Sequence, residues 1–222
     1  MLFLAVSLGF FVENLREHYV EHQREVSYMK SMLEDLKSDT AMLSLNIQLR
    51  KEKIRMADSL VVLLNSPSRN EKGNELYFFA RSISPPTNIF PNDGTIQQLK
   101  SSGSLRLIRN NKISNSIMAY DQKMRNVLFE MQDEVEIRAE YRQLARKIFR
   151  TTVFHEMIAT AVINPPINNP QLYSTDAALI NEFIGQVQYI KRVHQSQLIR
   201  SEELLTQAKH LNEQIKEEYH LK

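Results

Sequence analysis

The chain has 222 residues, of which only 5 are Gly and 7 are Pro, so residues that interrupt helices are scarce. Hydrophobic residues make up 42% and charged residues 24%, which argues against a disordered, collagen-like or polytopic membrane protein. The absence of Cys excludes disulfides, thiolate catalysis and Cys-bound zinc, and the net charge of +2 gives no overall attraction to nucleic acid. An all-α fold with no nucleic-acid partner is therefore expected.

Residues 1–12 form an apolar run without charge that ends abruptly at Glu13. A membrane-spanning helix needs about 20 apolar residues, and a signal peptide carries basic residues before its apolar run. We therefore interpret residues 1–12 as the C-terminal part of a truncated transmembrane helix; the alternative is the buried start of a helix in a soluble protein. The side chains expected to contact lipid are Leu2, Phe3, Leu4, Val6, Leu8, Phe10, Phe11 and Val12.

A first long helix is predicted over Val12–Leu64, because apolar residues three or four positions apart form one stripe. The stripe consists of Met29, Met32, Leu36, Leu43, Ile47, Ile54, Ala57, Val61 and Leu64. Pro67 ends this helix, since proline cannot continue its hydrogen bonds. Residues 67–110 then predict a cap with short helices at 76–83 and 96–101, the second capped by Thr95 and followed by a left-handed Gly103.

Two further long helices are predicted, over Lys112–Val162 and Asp176–His220, with the proline-containing sequence 164–170 between them. The second stripe comprises Ile113, Ile117, Tyr120, Met124, Val127, Met131, Val135, Tyr141, Ala145, Ile148, His155 and Ile158. The third comprises Ile180, Phe183, Val187, Ile190, His194, Leu198, Leu204, Ala208, Leu211 and Ile215. Helices of about 45 residues measure about 68 Å. Residues 13–222 are therefore expected to form one domain, an elongated antiparallel bundle of three long helices with a distal short-helix cap at 67–110.

Four stretches carry a resemblance to a known family: residues 1–22, Met32–Asp39, Thr95–Asn110 and Glu217–Lys222. They resemble an uncharacterised family of single-pass membrane proteins from Gram-negative bacteria, and the likeness covers nearly the whole chain. Members carry a basic cytoplasmic stub and a complete membrane helix before a helical domain, whereas this chain lacks the stub and the first part of the helix. The resemblance implies an inner-membrane anchor with the helical domain in the periplasm, as the positive-inside rule also gives for a basic stub. It implies no activity.

Catalytic and metal-binding patterns are weak. His18 and His22 lie four residues apart on one helix face, which suits two ligands of a metal ion, but no third ligand is evident. His155-Glu156 begins like a zinc-protease motif, yet Ala159 stands where the second His belongs. Ser101-Ser-Gly103 matches neither a phosphate loop nor a nucleophile elbow. We therefore expect no enzyme activity and no cofactor.

Two basic clusters suggest weaker contacts. Lys100, Arg106, Arg109 and Lys112 lie in a stretch without acids and are candidates for an anion contact, with a solvated surface as the alternative. Arg142, Arg146, Lys147 and Arg150 are candidates for contact with lipid headgroups, if the second helix returns towards the membrane. An ordinary helix end with solvated charges is the alternative for this second cluster.

The long stripes without catalytic motifs favour a membrane-anchored, extracytoplasmic helical scaffold that binds another protein or itself. The alternative is a small-ligand sensor bundle that signals through a partner chain. Its cavity would lie near the polar stripe positions Thr40, Arg50 and His194.

Overall fold

The computed structural model describes residues 2–158 and 162–221, apart from the side chains of residues 2, 4 and 5. The α-helices are α1 Leu2–Asn65, α2 Gly73–Ile83, α3 Gly94–Ser101, α4 Asn111–Glu130, α5 Glu134–Ile148, α6 Thr151–Glu156 and α7 Ala177–Tyr219, with 3-10 helices at Arg69–Glu71 and Ser104–Leu107. Within these residues the only β feature is an isolated bridge between Ile158 and Ile163. The prediction of an all-α fold is confirmed.

The chain divides into two compact units. The first consists of Met1–Leu43, Phe90–Arg125 and Glu203–Lys222, and the second of Ser44–Ile89 and Asn126–Glu202. Helices α1, α4 and α7 contribute residues to both units. The predicted limits of the bundle domain and its cap stay a prediction.

Helix α1 confirms the first predicted helix and its end before Pro67. Most of the predicted stripe is buried, but Lys53 and Leu60 are buried where the prediction had Ile54 and Val61, which are half-buried. The buried positions after Ile47 are therefore Arg50, Lys53, Ala57, Leu60 and Leu64, so two basic side chains enter the second unit's interior.

The second predicted helix is wrong as a single element. Residues 131–133 form a turn between α4 and α5, and Phe149 is extended between α5 and α6. The amide of Tyr173 donates to the Ile148 carbonyl at 2.8 Å, so a distant segment takes the acceptor that a continuing helix would use. Residues 159–161, which belong to the predicted helix Lys112–Val162, lie outside the described residues.

The stripe of this helix is also partly wrong. Val135 is 64% exposed, and His155 and Ile158 are exposed as well, whereas Glu134 and Arg138 are buried. Positions 127, 131, 134, 138 and 141 keep the spacing of three and four, so two charged residues occupy the face that the prediction assigned to Val135.

Helix α7 begins as predicted, and Asp176 caps it by accepting the amide of Leu179 at 2.8 Å. The start of helix α3 differs from the prediction of a helix at 96–101 capped by Thr95. The helix begins at Gly94, and no local side chain caps it. The amide of Thr95 instead donates to Asp35 Oδ2 of α1 at 3.0 Å. The left-handed conformation predicted at Gly103 is confirmed, with φ of 67°.

Carboxylates of α1 hold the segment 92–109 in the first unit. Besides Asp35, Asp39 accepts the Asn92 amide at 2.8 Å, and Glu25 accepts the Arg109 amide at 2.8 Å. Asp39 and Glu25 also accept the hydroxyls of Tyr120 and Tyr219, both at 2.6 Å. Burial and the adjacent carboxylates raise the pKa of both tyrosines, which therefore stay protonated donors.

An aromatic cluster forms the core of the second unit. The rings of Tyr77 and Phe149 lie 5.0 Å apart edge to face, and those of Tyr141 and Phe183 lie 5.1 Å apart. The Tyr77 hydroxyl donates to the Gln171 carbonyl and accepts the Arg150 amide. Phe149, at the break between α5 and α6, packs in this cluster and is only 1% exposed.

Candidate functional site

The N-terminal part of α1 presents apolar side chains to solvent. Phe3 is 84% exposed and Phe10 is 75% exposed, and the side chains of Val6, Leu8, Phe11 and Val12 are each more than half exposed. The side chains of Leu2 and Leu4 lie outside the described residues. We name residues 3–12 the apolar segment. The described side chains of this segment are exposed, and their contact with lipid stays a prediction.

The apolar segment is short, and charged residues follow it directly. Glu13 accepts from Arg16 at 2.6 Å on the exposed helix surface, and this pairing lowers the pKa of Glu13. Over the described residues, none of the helices contains an apolar stretch long enough to cross a membrane.

His18 and His22 do not form a metal site with the described residues around them. The His22 Nδ1 lies 3.2 Å from Glu25 Oε2, but Glu25 already accepts Arg109 and Tyr219. The backbone carbonyl of His18 accepts from the Arg109 guanidinium at 3.0 Å. Throughout the described ranges, no three His, Asp or Glu side chains come close enough to hold a metal ion.

The first basic cluster comprises Lys100, Arg106, Arg109 and Lys112, and only two of these residues pair with acids that the structure describes in the first unit. Lys100 pairs with buried Asp121 at 2.9 Å, and Arg109 lies 3.8 Å from buried Glu25. These two cations are therefore occupied by acids of their own unit. Lys112 is exposed, whereas Arg106 lines an open cleft together with Arg24 of α1. The anion contact stays a prediction, with Arg106 as its best-placed member.

The second basic cluster is exposed, and its members differ in their contacts. Arg142 donates to Ser84 Oγ at 2.8 Å and to the Ser84 carbonyl at 3.1 Å. Arg150 donates to the Gln171 carbonyl at 3.3 Å and lies over the ring of Tyr173. The side chains of Arg146 and Lys147 have no ion pair among the described residues. Their contact with lipid stays a prediction.

A polar layer is buried in the second unit, centred on Arg50, which has no exposed surface. Its Nε donates to Asn46 Oδ1 at 3.0 Å, its Nη2 donates to the Thr87 carbonyl at 3.0 Å, and its Nη1 lies 3.2 Å from His194 Nδ1. Because arginine only donates, His194 must be the neutral tautomer that accepts at Nδ1. Of the three positions proposed for a sensor cavity, Arg50 and His194 meet, whereas Thr40 belongs to the first unit.

Glu134 supplies the negative charge of this layer. Its Oε1 lies 3.0 Å from Arg50 as an ion pair, and its Oε2 accepts from Arg138 at 2.7 Å. Lys53 completes the layer by donating to the Pro85 carbonyl. Glu134 is the only buried carboxylate among the described residues of the second unit, so one acid faces three buried or nearly buried bases.

Burial sets the protonation of the two titratable bases. Burial, with the charges of Lys53 and Arg50, lowers the pKa of His194 to about 3. Burial, with Arg138 and Arg50, lowers the pKa of Lys53 to about 8. At neutral pH His194 is therefore neutral and Lys53 is mostly charged.

The sequence analysis missed Asn46, Lys53, Glu134 and Arg138 as members of this layer. A signal was present, because Glu134 and Arg138 are an acid and a base four residues apart that continue the buried spacing.

Comparison of the chain with protein-family models, with characterised proteins and with solved structures gives no match. The resemblance to the family of single-pass membrane proteins therefore stays a prediction.

Proposed function

We propose that the protein is a membrane-anchored helical scaffold whose apolar segment inserts into the inner membrane and whose helical units bind another protein or a second copy in the periplasm. The exposure of the apolar segment carries this proposal. Its described side chains cover several sides of α1, and no single core-facing stripe can bury them.

The energy available from this segment is large enough to hold the chain at a bilayer. Burying one Leu- or Phe-sized side chain is worth about 1.5 to 3 kcal/mol. Six exposed side chains therefore supply on the order of 10 kcal/mol when they enter lipid, after a discount for those that are only half exposed. The exposed Glu13–Arg16 pair lies where the helix would leave the hydrocarbon.

A protein-binding role fits the rest of the chain. The charged groups of Arg50, Glu134 and Arg138 in the buried polar layer pair with one another, and Arg50 also donates to a backbone carbonyl, so they are engaged within the unit and not aimed at a substrate. The finer architecture belongs to the same proposal: an elongated antiparallel bundle of three long helical segments, the second divided into α4, α5 and α6, with a cap around residues 67–110. Small-angle scattering of the purified chain tests that shape.

Flotation with vesicles tests the anchor. The triple variant Phe3→Ser, Phe10→Ser and Phe11→Ser should remain at the bottom of the gradient, whereas the unmodified chain should float. The matched control is Phe90→Ser, Phe129→Ser and Ile167→Ser, which removes three side chains of 75%, 70% and 86% exposure outside the apolar segment. Equal flotation of the two triple variants would refute the anchor.

The absence of Cys allows a direct test of orientation. Asn115→Cys places one thiol at an exposed position of α4. A membrane-impermeant maleimide should label it in intact cells with a permeabilised outer membrane. Labelling only after cell lysis would place the helical units in the cytoplasm. Affinity purification of the full-length protein from its membrane then asks for one stoichiometric protein partner.

A further inference from the structure

The first unit contains an open cleft of about 530 Å³ that the scaffold role does not use. One wall is the part of α1 that includes Arg24 and Tyr28, and the other is formed by Ser102 and by the 3-10 helix Ser104–Leu107, which carries Arg106. Small-molecule sites have volumes of about 300 to 1,000 Å³. The cleft therefore has the size of a site for a small solute.

The two arginine side chains of the cleft differ from the neighbouring basic residues of the first unit in their contacts. The side chains of Arg24 and Arg106 form no ion pair or hydrogen bond with any residue that the structure describes, although both face the cleft. The neighbouring bases Lys100 and Arg109 are paired with Asp121 and Glu25. The pairing therefore leaves two guanidinium groups to share one concave surface.

The hydroxyl groups of the cleft add donors. The Ser102 hydroxyl donates its single hydrogen to the Gln98 carbonyl at 2.7 Å, so the Ser104 hydroxyl, 2.6 Å away, donates to Ser102. The Tyr28 hydroxyl lies 3.5 Å from Ser104 Oγ, the upper limit of a hydrogen bond. Because the Ser104 hydrogen is directed at Ser102, Tyr28 is the donor of this long contact, and its O–H can turn from Ser104 to a ligand.

We propose that this cleft binds an oxyanion, a phosphate or carboxylate group of a small ligand, between the guanidinium groups of Arg24 and Arg106. Guanidinium groups bind such groups through paired N–H donors, and Tyr28 supplies a further donor. Glu21 also lines the cleft and opposes an anion. Two bases against one acid leave a net positive site.

The position of the cleft favours a dissolved ligand over a lipid headgroup. Arg24 lies 12 residues after Val12 on the same helix, which is about 18 Å at 1.5 Å per residue. The headgroup layer on each side of the hydrocarbon is only about 5 to 8 Å thick. Phosphate in solution and lipid phosphate share the same chemistry, so both enter the test.

Equilibrium dialysis of the full chain in non-ionic detergent tests the site, with radiolabelled inorganic phosphate and succinate as probes at fixed ionic strength. In the double variant Arg24→Gln and Arg106→Gln, binding of at least one probe should weaken tenfold or more. The control Lys30→Gln and Lys209→Gln removes the same charge from exposed positions outside the cleft and should change affinity less than twofold. Glu21→Gln should tighten binding, because it removes the opposing charge.

A second arm uses vesicles of phosphatidylcholine with and without phosphatidylglycerol. If neither solute binds but phosphatidylglycerol strengthens vesicle binding through Arg24 and Arg106 alone, the oxyanion is a lipid phosphate. If no probe binds, or if both double variants weaken binding equally, the proposal is overturned. Circular dichroism confirms that each variant is folded. The solute arm contains no bilayer, so its result is independent of the anchor.

Discussion

Removal of the charge of Glu134 should destabilise the protein more than removal of any exposed carboxylate. In Glu134→Gln the shape is kept, but an amide N–H₂ replaces one oxygen and faces a guanidinium that can only donate. Arg50, Arg138 and Lys53 then lie buried without an acid, since Glu134 is the only buried carboxylate among the described residues of that unit.

The magnitude follows from the two contacts. Unit charges 4 Å apart interact by about 4 kcal/mol at an effective dielectric constant of 20, and Glu134 faces Arg50 at 3.0 Å and Arg138 at 2.7 Å. The desolvation of the carboxylate offsets part of this attraction. Removing one partner of a buried pair is destabilising by about 3 to 5 kcal/mol, and we expect a loss in this range.

Urea denaturation at pH 7, followed by far-ultraviolet circular dichroism, measures the free energy of unfolding. The matched control is Glu130→Gln, which breaks the half-exposed pair with Arg200 and should lose less than about 1 kcal/mol. Adding Arg138→Gln to Glu134→Gln should recover part of the loss, because one unpaired cation is removed. A loss below about 1 kcal/mol for Glu134→Gln, or a loss equal to the control, would refute the reasoning.

Two further predictions concern the second unit. His194→Asn should remove a pH dependence: the unfolded chain binds a proton near pH 6.5 but folded His194 only near pH 3, so unfolding free energy falls as pH drops between these values. From pH 7.5 to 5 the unmodified chain should lose about 2 kcal/mol more unfolding free energy than the His194→Asn variant, as urea denaturation at the two pH values measures. Gly73→Ala should lower the melting temperature, because the added Cβ would lie 2.2 Å from the Pro170 carbonyl, while Gly185→Ala, with nothing within 4 Å, should raise unfolding free energy by up to about 1 kcal/mol. If Gly73→Ala melts at or above the unmodified chain, the close approach of Pro170 is wrong.

Local sequence patterns predicted the elements whose ends are fixed locally. Pro67 ends α1, and Asp176 caps α7 through a side chain three residues from the amide that it accepts. The start of α3 could not be predicted in this way. Its cap is Asp35, 60 residues away in sequence, so the Ser/Thr/Asp preference near Thr95 pointed to the wrong residue. The break at Phe149 likewise depends on an amide of a distant segment.

The apolar segment could be predicted from the sequence, whereas the buried polar layer and the cleft could not, because they depend on residues that are distant in sequence. The exposed apolar segment follows from composition alone, because side chains on all sides of one helix exceed any core face. An apolar stripe predicts that only apolar residues are buried. It therefore predicts a buried Val135 and an exposed Glu134, whereas the structure has the opposite. The sequence predicts Arg106 as an anion contact but gives no reason to select Arg24, since only the fold brings these two side chains to one cleft.

The polar side chains of α1 match the hydrogen-bonding groups of the backbone that packs against them. In the first unit, segment 92–109 presents amides, and the α1 residues that meet it are the acceptors Glu25, Asp35 and Asp39. In the second unit, Pro85 and Pro86 have no amide hydrogens, so segment 84–87 presents carbonyls, and α1 supplies the donors Asn46, Arg50 and Lys53. Backbone groups that are buried against α1 cannot be left unpaired without a cost in free energy. A stripe of apolar residues alone would tolerate a shift of one helical turn, whereas each of these bonds would be lost by it. These polar residues of α1 therefore fix the register of each of the two segments on the helix, as a buried polar residue does in a coiled coil.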